Sequence, residues 1–137
     1  MTFSNMANNN QSRSTFIKSS IRIALIYGFD CLDLDWEIPN TAQDMSNLAS
    51  LFEEWRQAIE IESKSYGSCN YFAPDIYLSS YSDLPILYPG GAIKSYIDFV
   101  NQRCFDYHGN WDTSDTAEHA LVYDNSSGNS TSYGVDS

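Results

Sequence analysis

Positive charge is scarce in this chain. Seven Lys and Arg stand against eighteen Asp and Glu, a formal net charge of −11. That balance excludes the basic patches that nucleic acid or an anionic membrane surface requires. Histidine is rarer still: His108 and His119 lack metal-like spacing, so no metal and no other cofactor is expected. The three cysteines, Cys31, Cys69 and Cys104, form no C-x-x-C pair and fit no zinc motif. An odd count cannot be fully paired within one chain. They read as buried thiols, with one disulfide as the alternative. No stretch of 18 apolar residues occurs, so no membrane-spanning helix is expected. Thr2 to Gln11 is polar and no apolar run follows it, so no signal peptide is expected there. Asn10-Gln11-Ser12, Asn125-Ser126-Ser127 and Asn129-Ser130-Thr131 match the glycosylation triplet, weak evidence in an Asn/Ser-rich chain.

Aromatic residues are plentiful: ten Tyr, seven Phe and three Trp in 137 residues. They serve either a core or a set of stacking platforms for sugars. Hydrophobic residues make up 42%, which suits one domain with a modest core. Asn8-Asn9-Asn10-Gln11 reads as a loop, with Ser12 or Ser14 as a helix cap. Phe16, Ile17, Ile21, Ala24 and Leu25 then share one helical face, opposite Lys18 and Arg22. Gly28 closes that helix, because a left-handed backbone costs Gly little.

A second helix is expected over 44–64, with Met45, Leu48, Phe52, Trp55 and Ile59 inward and Glu53, Glu54, Arg56 and Glu60 outward. Residues 71–78 read as a strand interrupted by Pro74, which removes a ladder donor. Residues 92–96 read as a short helical turn and 99–105 as another strand. Residues 106–124 are mostly loop, and 125–137 form a flexible Ser/Asn/Gly-rich tail. Helix, strand, helix, strand, short helix, strand is the order of an α/β protein with a parallel sheet.

The most informative segment is Phe29-Asp30-Cys31-Leu32-Asp33-Leu34-Asp35-Trp36-Glu37-Ile38-Pro39. Leu32, Leu34 and Trp36 alternate with Asp33, Asp35 and Glu37, the period-two pattern of a β-strand. One face is apolar and the other carries three carboxyl groups. Asp30 has the opposite parity and anchors the start of the strand. Confined carboxylates repel each other, and such a group can raise one acid into the range of a proton donor.

The spacing Asp30-x-x-Asp33-x-Asp35-x-Glu37, with Phe29, Leu32, Leu34, Trp36 and Pro39 around it, resembles the signature of glycoside hydrolase family 18, the chitinases and chitinase-like lectins. Phe3-Ser4-Asn5-Met6-Ala7, Tyr27-Gly28-Phe29, Tyr88-Pro89 and Asp106-Tyr107-His108-Gly109 with Trp111 resemble its plant class V branch. The resemblance implies a (β/α)8 TIM barrel, of which residues 1–124 would supply an internal slice with strands 4 to 6 and flanking helices. Three strands leave open sheet edges, so independent folding of the slice is not expected.

The resemblance also implies a retaining, substrate-assisted cleavage of β-1,4-linked N-acetylglucosamine polymers. Glu37 would be the general acid and then the base, Asp35 the group holding the acetamido N–H, and Asp33 its proton-sharing neighbour. Asp106, Phe105 and Trp111 would contact substrate. Where the family carries Met-x-Tyr-Asp, this chain has Arg103-Cys104-Phe105-Asp106, so the supporting Tyr hydroxyl is replaced by Phe105. The implied partner is chitin or an N-acetylglucosamine oligosaccharide, the chain a monomer, and the compartment extracellular or vacuolar. A non-catalytic carbohydrate-binding relative and a non-functional fragment are the alternatives.

Overall fold

A computed structural model describes residues 2–37, 39, 41–66, 71–77, 88–103, 105, 110 and 113. Four helices and three strands lie among them: α1 (Thr2–Ala7), α2 (Asn10–Tyr27), β1 (Cys31–Leu34), α3 (Ala42–Tyr66), β2 (Tyr71–Tyr77), α4 (Gly90–Tyr96) and β3 (Asn101–Arg103). The sheet order is β1–β2–β3, and β1 pairs with β2 in parallel, with Cys31 opposite Tyr71 and Leu34 opposite Pro74. The chain divides into two compact units, Met1–Ile76 with Ile86–Asn101, and Tyr77–Pro85 with Gln102–Ser137. The core and the site described below belong to the first. The expected tail at 125–137 lies outside the described residues, as do Cys69, Cys104, Asp106 and Trp111.

α2 begins one turn earlier than Ser12 suggests. Asn9 is the cap: its side-chain oxygen accepts from the N–H groups of Gln11 at 2.8 Å and Ser12 at 3.2 Å. Asn caps as well as Ser, and the extended backbone of Asn9 leaves its carboxamide free to fold back. Gly28 ends the helix as expected, with φ 70°. α1 was not anticipated. Phe3, Met6 and Ala7 recur at helical spacing, and Ala7 is fully buried while Phe3 and Met6 pack against the core. Leu25 is a correction: it is 37% exposed rather than inward, and Ile17, Ile21 and Ala24 carry the buried stripe.

α3 supplies most of the core. Met45, Leu48, Leu51, Phe52, Trp55 and Ile59 are buried at spacings of three and four, one stripe along 25 residues. Thr41 opens this helix with a reciprocal cap: its hydroxyl donates to Asp44 Oδ2 at 2.8 Å and accepts from the Asp44 N–H at 3.0 Å. Pro74 does not interrupt β2. It sits at the last position paired with β1, where a missing donor harms the ladder least. The third strand is shorter than expected, Asn101–Arg103, and Phe99, Val100 and Phe105 are exposed. Cys31 is half-buried rather than buried. Among the described residues no helix is long and apolar enough to cross a membrane.

Six aromatic rings form a continuous line through the core. Trp36 stacks on Phe3 at 5.9 Å, Phe3 meets Phe16 edge-on at 5.9 Å, and Phe16 meets Trp55 edge-on at 5.3 Å. Trp55 then packs on Phe72 at 4.5 Å, and Phe72 on Phe52 at 5.8 Å. Such pairs add about 0.5–1.5 kcal/mol each to ordinary burial.

Two charged clamps fasten the layers, and both use residues expected to face water. Arg13 is buried and donates to Glu54 at 2.9 and 2.6 Å, to the Ala7 carbonyl at 2.5 Å, and to the side chain of Asn10. It thereby fixes the α1–α2 corner on α3. Arg56 donates to the Tyr96 carbonyl at 2.7 Å and to Asp98 Oδ2 at 2.5 Å, and Asp98 also accepts from the Phe72 N–H at 2.8 Å. This second clamp ties α3, the end of α4 and the start of β2. Burial alone would raise the Asp98 carboxyl, but the hydrogen bonds from Arg56 and Phe72 and the Arg56 charge outweigh it, so it lies below the usual carboxylate range.

A carboxyl depressed in the folded state stabilises the fold above its unfolded pKa and loses that contribution as pH falls through the folded value. The melting temperature should therefore drop more steeply between about pH 5 and about pH 3 in the native chain than in Asp98→Asn. Parallel curves for the two, followed by circular dichroism, would show that the clamp contributes nothing.

Candidate active site

The alternation in the acidic segment survives folding. Leu34 and Trp36 are buried in the helix-packed cluster, at 2% and 7% exposure, while Asp33, Asp35 and Glu37 are exposed on the opposite face. β1 itself ends at Leu34, and the chain continues through Asp35, Trp36 and Glu37 toward the buried Pro39. The outer two acids thus stand past the carboxyl end of a parallel strand, where active sites of parallel α/β barrels are built. Asp30 is exposed in the bend before β1.

Trp36 and Asp33 are each tied to another element. The ring of Trp36 lies nearly parallel to that of Phe3, with 19° between the planes, which locks the backbone between Asp35 and Glu37. Asn101, at the start of β3, donates from Nδ2 to Asp33 Oδ1 at 3.3 Å. Sequence reasoning passed over Asn101, because a residue 68 positions away gives no local signal of proximity. Of the other expected site residues, Phe105 is exposed and Asp106 and Trp111 fall outside the described residues.

A cleft of about 940 Å3 opens beside the acids. Asp35, Trp36 and Glu37 line it on one side. α1, with Phe3 and Asn5, Asn8 just after it, and the start of α3, with Gln43, Asp44 and Asn47, line it too. An apolar ring surface, the carboxyl-bearing residues Asp35, Glu37 and Asp44, and neutral carboxamides make a wall suited to an uncharged, hydroxyl-rich ligand. Among the described residues no group of three or more His, Cys, Asp or Glu could hold a metal ion.

The sequence model of glycosyl hydrolases family 18 matches residues 1–137. The chain belongs to glycosyl hydrolases family 18. It is 42% identical to class V chitinase CHIT5a of Medicago truncatula, an alignment that covers 98% of this chain and 36% of that protein. A class V chitinase mutant from Nicotiana tobaccum, solved in complex with NAG4, superposes with TM-score 0.80 at 36% identity, over 90% of this chain and 36% of that one. The chitinase-like agglutinin RobpsCRA from Robinia pseudoacacia matches with TM-score 0.72 at 39% identity, over 77% of this chain and 32% of that one. The chain therefore spans about a third of the length of the relatives it matches. Its fold is part of the TIM barrel of the family 18 chitinases.

Replacing Trp36 by Ala should lower stability by about 3–5 kcal/mol, because it empties a buried site and strips Phe3 of its stacking partner. Denaturant titration measures this. A loss under about 1 kcal/mol would mean that the end of the acidic segment is held by something else.

Proposed function

We propose that the chain is the acid-bearing portion of a retaining chitinase-type glycosidase, contributing the fourth to sixth strands of its barrel. The observation that carries this reading is the exposed row Asp33, Asp35 and Glu37, of which Asp35 and Glu37 line a cleft of about 940 Å3, backed by the buried Leu34 and Trp36. Family 18 is one of the groups that use the substrate's own N-acetyl group rather than a second carboxylate.

In this reading Glu37 gives its proton to the glycosidic oxygen as the C1–O bond breaks, and the bonding pair leaves with that oxygen. The acetamido carbonyl oxygen of the same sugar forms a new bond to C1, giving an oxazolinium ion. Asp35 accepts the acetamido N–H and offsets the positive charge. Glu37, now a carboxylate, takes a proton from water as that water attacks C1 and reopens the ring, with overall retention. Asp33 lies one pleat behind Asp35, about 6.5–7 Å along the strand, close enough to share its charge. Asp106, Phe105 and Trp111 complete the substrate contacts.

Chitin or N-acetylglucosamine oligomers are the substrate class, in keeping with the NAG4 bound by the Nicotiana tobaccum relative. The compartment implied is extracellular or vacuolar, and the working unit a monomer. A second reading, carbohydrate binding without turnover, draws support from Phe105, which cannot donate the hydrogen bond of the family Tyr, and from the likeness to the Robinia pseudoacacia agglutinin. Retention of Glu37 favours the enzyme.

Release of fluorophore from a chitobioside, abolished in Glu37→Gln, is the expected result. Binding of chitin oligomers without any release would move the assignment to the lectin reading. If turnover is observed, Phe105→Tyr should raise kcat by about tenfold or more, since one transition-state donor contributes on the order of 3 kcal/mol at full strength. An unchanged or lower kcat would remove Phe105 from the site.

A further inference from the structure

Asn101 opens β3, yet its side chain meets β1. The sheet order is β1–β2–β3, so β2 stands between the two strands. Neighbouring strands lie about 4.8 Å apart, which puts β1 and β3 roughly 9–10 Å apart. Even so, Asn101 Nδ2 donates to Asp33 Oδ1 at 3.3 Å. Two side chains cross that gap only where both rise from the same face and lean toward each other. That face is the acidic one, because Leu34 and Trp36 occupy the other. In parallel barrels the side chains of one interior layer come from alternate strands, and Asp33 and Asn101 stand in that relation.

The Arg56 clamp sets where Asn101 stands. Three residues earlier in the chain, the Asp98 N–H donates to the Phe72 carbonyl at 3.1 Å, and Asp98 Oδ2 accepts from the Phe72 N–H at 2.8 Å. Arg56 of α3 donates to the same carboxyl oxygen. Phe72 is the register partner of Leu32, the neighbour of Asp33. The chain entering β3 is therefore docked on β2 beside the level that Asp33 occupies on β1. A carboxamide nitrogen only donates. The Asp33 oxygen that it meets is thus an acceptor, and a proton held by Asp33 is directed to the other oxygen, Oδ2. The same bond favours one rotamer of an exposed side chain. Asp35 and Glu37 line the cleft, whereas Asn101 does not, so its reach toward the cleft passes through Asp33.

We propose that Asn101 is a positioning residue for the acid row. Its amide fixes the orientation of the Asp33 carboxyl, and with it the oxygen through which Asp33 and Asp35 share a proton. The proposal rests on the glycosidase reading, in which Asp33 supports Asp35. It adds a residue of the third strand that acts through Asp33 rather than on the sugar.

The test combines NMR of the full chain with kinetics on a fluorogenic chitobioside. Asn101 is exposed, so Asn101→Leu, similar in size but without the donor, leaves the core intact. One amide proton of Asn101 Nδ2 should resonate downfield and move upfield in Asp33→Ala, but not in Asp30→Ala. Asn101→Leu should lower kcat about three- to tenfold with KM unchanged. Asn101→Asp should lower it further, because two carboxylates then face each other. In an Asp33→Ala background, Asn101→Leu should cost nothing more. Asn101 amide signals that stay in place in Asp33→Ala would overturn the proposal. So would an Asn101→Leu loss that persists in the Asp33→Ala background or falls on KM alone. Turnover by the parent with no change in Asn101→Leu would overturn the positioning role and leave the glycosidase reading standing. No turnover by the parent would overturn both.

Discussion

Leu34 and Trp36 turn from the acidic segment into the apolar cluster, and with the period of two that burial leaves Asp33, Asp35 and Glu37 only the opposite side. A one-residue slip would bury three carboxyl groups among aromatic rings, at a cost far beyond what the fold could offset. The register of β1 is therefore set by hydrophobic burial, and the chemistry rides on it. Trp36 is the point of contact between the two demands. Its ring begins the aromatic line that runs through Phe3, Phe16, Trp55 and Phe72 to Phe52, while its backbone joins the two acids nearest the cleft.

The helices do more than cover that face. α3 packs its stripe beneath the sheet and presents its first turn, with Gln43 and Asn47, to the cleft. Asn8, just after α1, also lines the cleft, and Arg13 ties the neighbouring Ala7 carbonyl to Glu54. A buried ion pair of this kind is weak evidence for net stability but fixes orientation, since either partner alone would be an uncompensated charge. The clamp of Arg56 and Asp98 does equivalent service at the other end of α3.

Family membership and chain length pull in different directions. The motif that performs the chemistry is complete from Asp30 to Glu37, yet the chain spans about a third of the relatives it matches. Asp33, Asp35 and Glu37 are exposed among the described residues.

The helical stripe of α3, the glycine stop of α2 and the two-faced acidic strand were legible without coordinates, because each is a local pattern with a fixed period or a fixed backbone demand. Family membership was legible from the acidic motif for the same reason: its residues are contiguous. The Asn9 cap lay in Asn8-Asn9-Asn10-Gln11, a polar stretch whose composition read as loop, and α1, at six residues, is too short to establish a helical period. What only the tertiary structure decided were the long-range pairings, Arg13 with Glu54, Arg56 with Asp98, Asn101 with Asp33, and Asn47 with Asn8. Polar side chains carry no periodicity that names a partner 39 to 68 residues away, and Glu54 and Arg56 looked like solvent-facing charges until packing brought their partners within reach.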